Sequence, residues 1–383
     1  MPALIHRDAP GAVPADVRDL LARFGLTLRD LLTTDRSNPK LGKGASLARA
    51  LILHHLPARA LAAAITPSTD AAIPARSFVP ALMELAEREG LTAAALAHNG
   101  CPWATTGCGG IGGGCLNWSG HGGLNVTVAA ARGRRTLAML ADPAAYGRAV
   151  LWATLRHHRA AVAAGQLVSL RLRGTDEGPA AGWHRVPVTI STAEAVAIRD
   201  RYGVDLPAGV ATMGDRLRAL PSLRWMEYSK GPTRGPLGLI AQRDAGADIT
   251  ASFAADRPTA TADGLAALAA GFRLAIPIRI KRGDLIPSAV RLVSGGQAVI
   301  VATCDGDRHD HRWMDPQGPD RCAVILRTKI SRGAGPAAEA FSLAAHDQPQ
   351  HLADGSVQLI WPCLLYTSPS PRDAHESRMP SSA

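Results

Sequence analysis

A chain of 383 residues, 46% hydrophobic and 19% charged, has the make-up of a globular protein with room for one large core or two ordinary ones. No stretch approaches the roughly 20 uncharged apolar residues that span a bilayer, and the start, MPALIHRDAPGAVPADVRDLL, has no apolar run behind a basic head. Neither a membrane helix nor a secretory signal is expected, and the cytoplasm is the expected compartment. The net charge of +10 points to an anionic partner only where cations cluster, and here arginines are spread along an alanine-rich chain.

Residues 1–36 are expected to form an N-terminal helical extension. GAVPADVRDLLARFGLTLRDLLT (11–33) places apolar residues three and four positions apart, as one or two short amphipathic helices do. An α/β domain is expected over residues 37–345. It opens with the polar loop SNPKLGKG (37–44) and an apolar run, LARALILHHLPARAL (47–61), that fits helix or strand equally; residues 77–97 then read as a helix.

Residues 101–123 form a loop rich in cysteine and glycine. After it, DPAAYGRAVLWATLRHHRAAVAAG (142–165) has helical periodicity and ends in a glycine suited to a C-cap. The strand QLVSLRLRGTDE follows, an apolar run ending in polar residues. The same layout recurs at 223–230, 247–256, 273–281, 297–307 and 322–329, with helical candidates at about 192–202 and 262–271. Strands alternating with helices predict a parallel sheet with its functional groups at the strand C-terminal ends, in a barrel or partial barrel of mostly parallel strands. No G-x-G-x-x-G follows a strand in a βαβ frame and no P-loop motif occurs, which sets aside dinucleotide and P-loop readings.

Residues 346–362 read as a truncated C-terminal segment. From Cys363 the text CLLYTSPSPRDAHESRMPSSA abandons the Ala/Arg/Gly character of the rest and looks like a translated sequencing adapter. Residues 363–383 are therefore expected to be a non-native, disordered tail, with the natural C-terminus missing.

Cys101, Cys108 and Cys115 form a C-x6-C-x6-C array. Without export signals such an array argues against a disulfide framework and for metal binding by thiolates, either zinc or an iron–sulfur cluster. Three ligands leave a coordination position open, and the surrounding glycines let the backbone wrap the centre without steric strain. The plain alternative is reduced cysteines packed as small apolar residues. His121 is a candidate fourth ligand or simply a loop residue. A cysteine loop ahead of polar strand ends is the general plan of radical enzymes that use S-adenosylmethionine, although their usual C-x3-C-x2-C spacing is absent.

CDGDRHDHRWMDP (304–316) gathers Asp305, Asp307, His309, Asp310, His311 and Asp315 behind an apolar strand, as a divalent-cation or acid–base site does, and equally as a hydrated Asp–Gly turn does. Asp176, Glu177, Tyr228, Lys230 and Lys329 are expected at the same mouth, the lysines to hold a carboxylate or phosphate; the alternative there is a salt-bridge network. In so arginine-rich a chain the five lysines, Lys40, Lys43, Lys230, Lys281 and Lys329, mark places where a compact ammonium matters, or else are chance survivors.

In order along the chain stand NPKLGK, CPWATTGC, CLNWSGHGG, RLRGTDE, EYSK, the Ser-Phe pair before Asp256, CDGDRHDHRWMDP and ILRTK. With these segments the chain resembles, over about residues 38–332, the gene-product-88-like proteins of phages and plasmids. The resemblance implies an α/β domain with the segments around one site. It carries over Cys101, Cys108, Cys115, Asn117, Gly174, Thr175, Asp176, Tyr228, Lys230, Asp305, Asp307 and Asp315. Two departures stand out: the gap between Cys108 and Cys115 is longer than usual, and Cys304 occupies a position that is commonly aliphatic, so that it is expected in the core.

The site expected from these readings has Asp176, Tyr228, Lys230, Asp305, Asp307 and Lys329 in catalysis. Asn117, Gly174, Thr175, Lys281 and Asp315 bind a cofactor such as S-adenosylmethionine, and Cys101, Cys108 and Cys115 hold the metal. The expected function is a metal- or iron–sulfur-dependent enzyme acting on a small or nucleotide-like molecule. The alternatives are a zinc-stabilised nucleic-acid-binding accessory protein of a mobile element, or a structural protein without an active site.

Overall fold

The computed structural model describes residues 13–34, 47–56, 78–97, 101–103, 105, 125–175, 182–281, 283–317, 320–328 and 339–362. The first helices, α1 (Ala15–Arg23) and α2 (Leu28–Leu31), bury Val17, Leu20, Leu21, Leu28 and Leu31. That three- and four-residue spacing turns one apolar stripe toward the interior. β1 (Leu32–Thr34) follows at once and pairs antiparallel with β2 (Ala48–Leu53), which is how the ambiguous run LARALILHHLPARAL resolves. Residues 77–97 hold two helices rather than one, α3 (Val79–Arg88) and α4 (Ala93–Leu96). Gly90, at φ +68°, breaks them apart in the left-handed conformation that costs glycine least.

α5 (Val126–Ala141) is N-capped by Asn125, whose Oδ1 accepts from the Thr127 and Val128 amides, and Asp142 caps α6 (Pro143–Val162) through the Ala145 amide. α6 is mostly buried along its middle and packs against α1, α2, α5 and the sheet. β3 (Leu167–Arg171) leads into a small excursion: β4 (Pro187–Ile190) and β5 (Gly209–Thr212) form a separate hairpin-like pair flanking α7 (Thr192–Tyr202), and α8 (Met213–Arg218) follows.

The chain then returns with β6 (Leu223–Ser229), α9 (Leu239–Asp244), β7 (Asp248–Ser252), α10 (Ala260–Ala269) and β8 (Arg273–Arg279). β9 (Ala289–Ser294) and β10 (Gln297–Asp305) make a hairpin through Gly295 and Gly296, both at positive φ as tight hairpin turns require. β11 (Ala323–Arg327), β12 (Leu343–Ala344), β13 (Gln350–Leu352) and β14 (Gly355–Ile360) complete the order, so residues 346–362 join the same sheet.

Among the described residues the main sheet runs β1-β2-β3-β6-β7-β8-β11-β10-β9-β14-β13, with β12 on β8. Every pairing from β2 to β10 is parallel; β1 at one end and β9, β14 and β13 at the other are antiparallel. The fold is thus a mixed α/β layering around a large, mostly parallel sheet. The path is open from β1 to β13 among the described residues, so the strands do not close into a barrel there.

Alternation along the strands sorts the two faces. Val168, Leu170, Trp225, Ile249, Ala251, Leu274 and Ile276 share one continuous core with the helices. The opposite face carries Ser169, Met226, Thr250 and a small cluster of Ala275, Cys322 and Val324 with Tyr228, Cys304 and Leu326 against it. Burial on both faces explains why β8, RLAIPIR, reads as an apolar run without a polar side. The segment after β10 does not stay in solvent: a short 3-10 turn (Arg312–Met314) crosses this second face, where the Arg312 amide meets Met226 Sδ at 3.4 Å and Trp313 Nε1 donates to Ser169 Oγ at 3.3 Å.

Candidate functional site at the strand C-terminal rim

Because seven consecutive strands are parallel, their C-terminal ends share one edge. β6 ends there in Tyr228, Ser229 and Lys230. Gly231 turns the chain, and an added Cβ at Gly231 would meet the Trp103 ring at 3.2 Å and Ser229 Oγ at 3.1 Å. Trp103 belongs to the start of the cysteine loop. Arg257, which follows β7, joins the two segments: its guanidinium donates to the carbonyl of Lys230 at 2.8 Å and to the carbonyl of Trp103 at 2.9 Å. Asp263 of α10 balances its charge at 3.4 Å. Cys101, half-buried, is therefore held beside the end of β6. Lys230 Nζ lies 5.6 Å from the centre of the Phe341 ring, a cation–π distance. A cleft opens at this point, lined by Ser229, Lys230, Ser252, Phe253, Arg257 and Asp263.

The end of β3 is built by a buried carboxylate. Glu227, with no exposed surface, accepts from the amides of Leu172 and Arg173 at 2.7 and 3.1 Å and from Trp225 Nε1 at 2.7 Å. Burial pushes its carboxyl above the ordinary range, while the Arg173 guanidinium and the donated hydrogen bonds pull the other way. Arg173 in turn donates to Gln242 Oε1 at 2.6 Å. These contacts hold Gly174 and Thr175 in place: the Gly174 amide reaches the Leu53 carbonyl at 2.9 Å, and Thr175 Oγ1 donates to the His55 carbonyl at 2.5 Å. Gly174 is needed for close approach, since a Cβ there would lie 2.3 Å from His54 Nδ1 and 2.6 Å from Ile52 Cγ2. Glu227 stands within EYSK yet escaped the sequence reading, which weighed Tyr228 and Lys230. A glutamate in a strand text carries no sign of burial, so no sequence signal marked it.

Tyr228 is half-buried on the second face, its ring 4.7 Å under the Arg171 guanidinium. Burial pushes its phenol up to about 12, against the pull of Arg312 and Arg171. It therefore stays protonated at ordinary pH.

The acidic segment divides between two places. Asp305 and Asp307, at the end of β10, both pair with Arg327 at the end of β11, at 2.7 and 3.5 Å. The Asp307 amide donates to Asp305 Oδ1 at 3.0 Å, an Asx-type turn. Asp315 instead lies buried beneath the second face with Arg312 at 3.0 Å and His309 at 3.8 Å. Burial raises its carboxyl, opposed first by Arg312. The cluster expected after β10 is therefore an ion-pair corner plus a buried pair, not one carboxylate site. Lys230 and Asp305 share the edge but stand four strand positions apart, roughly 19 Å along the sheet.

Lys281 is exposed just beyond β8, its amide donating to Asp284. Cys304, expected in the core, is only half-buried against the small apolar cluster, and it is bonded to Cys322 with a Cα–Cα separation of 5.9 Å. Cys108, Cys115, Asn117, His121, Asp176, Glu177, Lys329, Lys40 and Lys43 lie outside the described residues. Among the described residues no three His, Cys, Asp or Glu side chains gather as metal ligands do, and no helix is long and apolar enough to cross a membrane.

Against known proteins the chain stands apart. No family model, no curated protein and no solved structure matches it. The site's own geometry therefore has to carry the reading.

Proposed function

We propose that this chain is an enzyme that holds a metal ion or iron–sulfur cluster in its cysteine loop, at the C-terminal rim of the parallel sheet, and acts there on a small or nucleotide-like molecule. The observation that carries the reading is Arg257, whose two hydrogen bonds tie the carbonyl of Trp103, two residues from Cys101, to the carbonyl of Lys230. A cysteine loop bound to a strand end belongs where open α/β sheets bind ligands.

Cys101, Cys108 and Cys115 would hold the centre. Their thiolates fit zinc or an iron–sulfur cluster, and the intervening GGIGGG supplies a backbone with a single side chain, Ile111. When bound, such a three-thiolate centre offers one further coordination position to substrate or S-adenosylmethionine. Lys230 supplies positive charge at the rim for an anionic group. Tyr228 stays protonated and positions by hydrogen bonding. Glu227 fixes the end of β3, so that Gly174 and Thr175 face the same edge.

The partial-barrel plan, for which the unbroken run of parallel strands is the support, and the resemblance to the gene-product-88-like proteins belong to this proposal. The nucleic-acid reading has less behind it, because Arg132, Arg135, Arg173, Arg216, Arg273 and Arg312 are buried and do not contribute to a surface patch. Anaerobic purification followed by metal and sulfide analysis tests the proposal. Bound zinc, or iron with sulfide, is expected in the native chain and lost in Cys101→Ser, Cys108→Ser and Cys115→Ser. Metal-free protein after anaerobic reconstitution with iron and sulfide or with zinc overturns it.

A further inference from the structure

The two neighbours of β10 cover it unequally. β9 pairs with it from Gln297 to Ala302, whereas β11 pairs only with Thr303, Cys304 and Asp305. Among the described residues the first half of β10 therefore has one open edge. Two hydrogen bonds fix which backbone groups face it. The Thr303 amide donates to the Ser288 carbonyl on the β9 side, and the Gly306 amide donates to the Ile325 carbonyl of β11. Backbone groups of successive residues point to opposite sides of a strand, so odd-numbered residues here face β9, and the N–H and C=O of Ala298 and Ile300 face outward.

Sheet edges are ordinarily blunted by shortness, proline or charge, each of which discourages a further strand. β1 and β13, at the two ends of the sheet, are three residues each, and Pro349 stands before β13. The open half of β10, QAVIVA (297–302), carries neither charge nor proline. Ile300 is 63% exposed, Val299 37%, and Ala298 is exposed beside them. Outward backbone groups among exposed β-branched side chains are what an added strand recognises.

This edge is its own complement. Two identical strands related by a two-fold axis lie antiparallel. With the axis at Val299, Ala298 of each copy exchanges both backbone hydrogen bonds with Ile300 of the other, and the two Val299 side chains meet. Past Ala302 the edge is taken by β11, which favours this centre over one further along. A chain of net charge +10 repels its own copies at long range, but this strand sets no charge against its twin. Arg291, opposite Ile300 on β9, stands one strand back. Its two copies would be three strand spacings apart, roughly 14 Å, which exceeds the Debye length of about 8 Å. We propose that two copies of this chain pair through residues 297–301 of β10 and join their sheets. The pairing is independent of the metal reading, since Asp305, where β10 reaches the rim, lies roughly 17 Å along the strand from Ile300 and the rim stays open.

Sedimentation equilibrium of the full chain measures the mass. At about 100 μM a mass approaching two chains is expected, falling toward one chain on dilution, because a single short strand makes a small interface. Ile300→Lys sets a charge against the twin's edge at an already exposed position, and is expected to give single chains throughout with an unchanged melting temperature. Val210→Lys, at a 72% exposed position on β5, is expected to leave the pair intact. Should Ile300→Lys melt early, Ala298→Lys repeats the test. Cysteine capture reads the register. Directly opposed residues of such a pair have Cα atoms about 4.5 Å apart, within disulfide reach. Under mild oxidation Val299→Cys is expected to form a covalent pair at least tenfold faster than Gln297→Cys, whose twin lies roughly 13 Å along the strand, with the native chain as background. A single-chain mass at about 100 μM, a pair that survives both lysine variants, or equal capture at positions 297 and 299 overturns the proposal.

Discussion

Glu227 shows how much of the rim depends on one side chain. It is a buried carboxylate with three N–H donors turned on it, so replacing one oxygen by an amide group sets donor against donor. Glu227→Gln is expected to lower the unfolding free energy by about 1–3 kcal/mol, and Glu227→Ala by more, because three buried donors are then left unmade. Chemical denaturation measures both. His158, inside α6, gives a prediction of a different kind. Both its ring nitrogens are buried without partners among the described residues, and burial holds its pKa below 6.5. The unfolded chain therefore takes up the proton more readily; stability is full above about 6.5 and is lost as pH falls toward the folded value. His158→Leu is expected to flatten the fall in melting temperature between about pH 7 and 5, and to be neutral or stabilising at pH 7. Neither residue was legible as important beforehand. A charge or an imidazole in a strand or helix text looks solvated until the neighbours that bury it are known.

At the scale of elements, the regular text was readable and the tertiary obligations were not. Helix α7 and strands β6, β7, β8 and β11 lie where periodicity set them, because each buries an apolar side and ends in polar residues. α5 was missed, since the arginines of VTVAAARGRRTLA hide its apolar stripe, although Arg132 and Arg135 are in fact buried. β9 was missed although Gly295–Gly296 between two β-branched runs is a hairpin signal, and β13 and β14 were missed because the segment was read as a truncated end. The segment 305–316 was read as a strand-end acidic cluster, but Arg312 and Trp313 draw it across the second face. The element that matters most for the site is the Cys101–Trp103 segment, anchored through Arg257. Arg257→Ala removes two hydrogen bonds to carbonyls, each contributing roughly 0.5–1.5 kcal/mol, so local opening becomes roughly five- to hundredfold more frequent. Hydrogen exchange at residues 101–103 is expected to quicken accordingly while α6 is unaffected; equal exchange in both proteins contradicts the anchoring.

For the whole molecule, sheet topology converts scattered motifs into one edge. Parallel pairing from β2 to β10 brings the ends of β3, β6, β7 and β10 to the same side, as the alternation of strands with helices led one to expect. It also separates them: Lys230 stands with the Cys101–Trp103 segment, while Asp305 and Asp307 are taken up by Arg327 several strands away. The net charge of +10 is likewise divided, part of it inside the fold against carbonyls and carboxylates. The most direct test of the central claim, that the cysteine loop opens beside the end of β6, is a short amine-to-thiol cross-linker applied to reduced, metal-free protein, followed by peptide mass mapping. A link between Cys101 and Lys230, abolished in Lys230→Arg and weakened in Arg257→Ala, is the predicted result. Cys101 linked to Lys281 and never to Lys230 would contradict it.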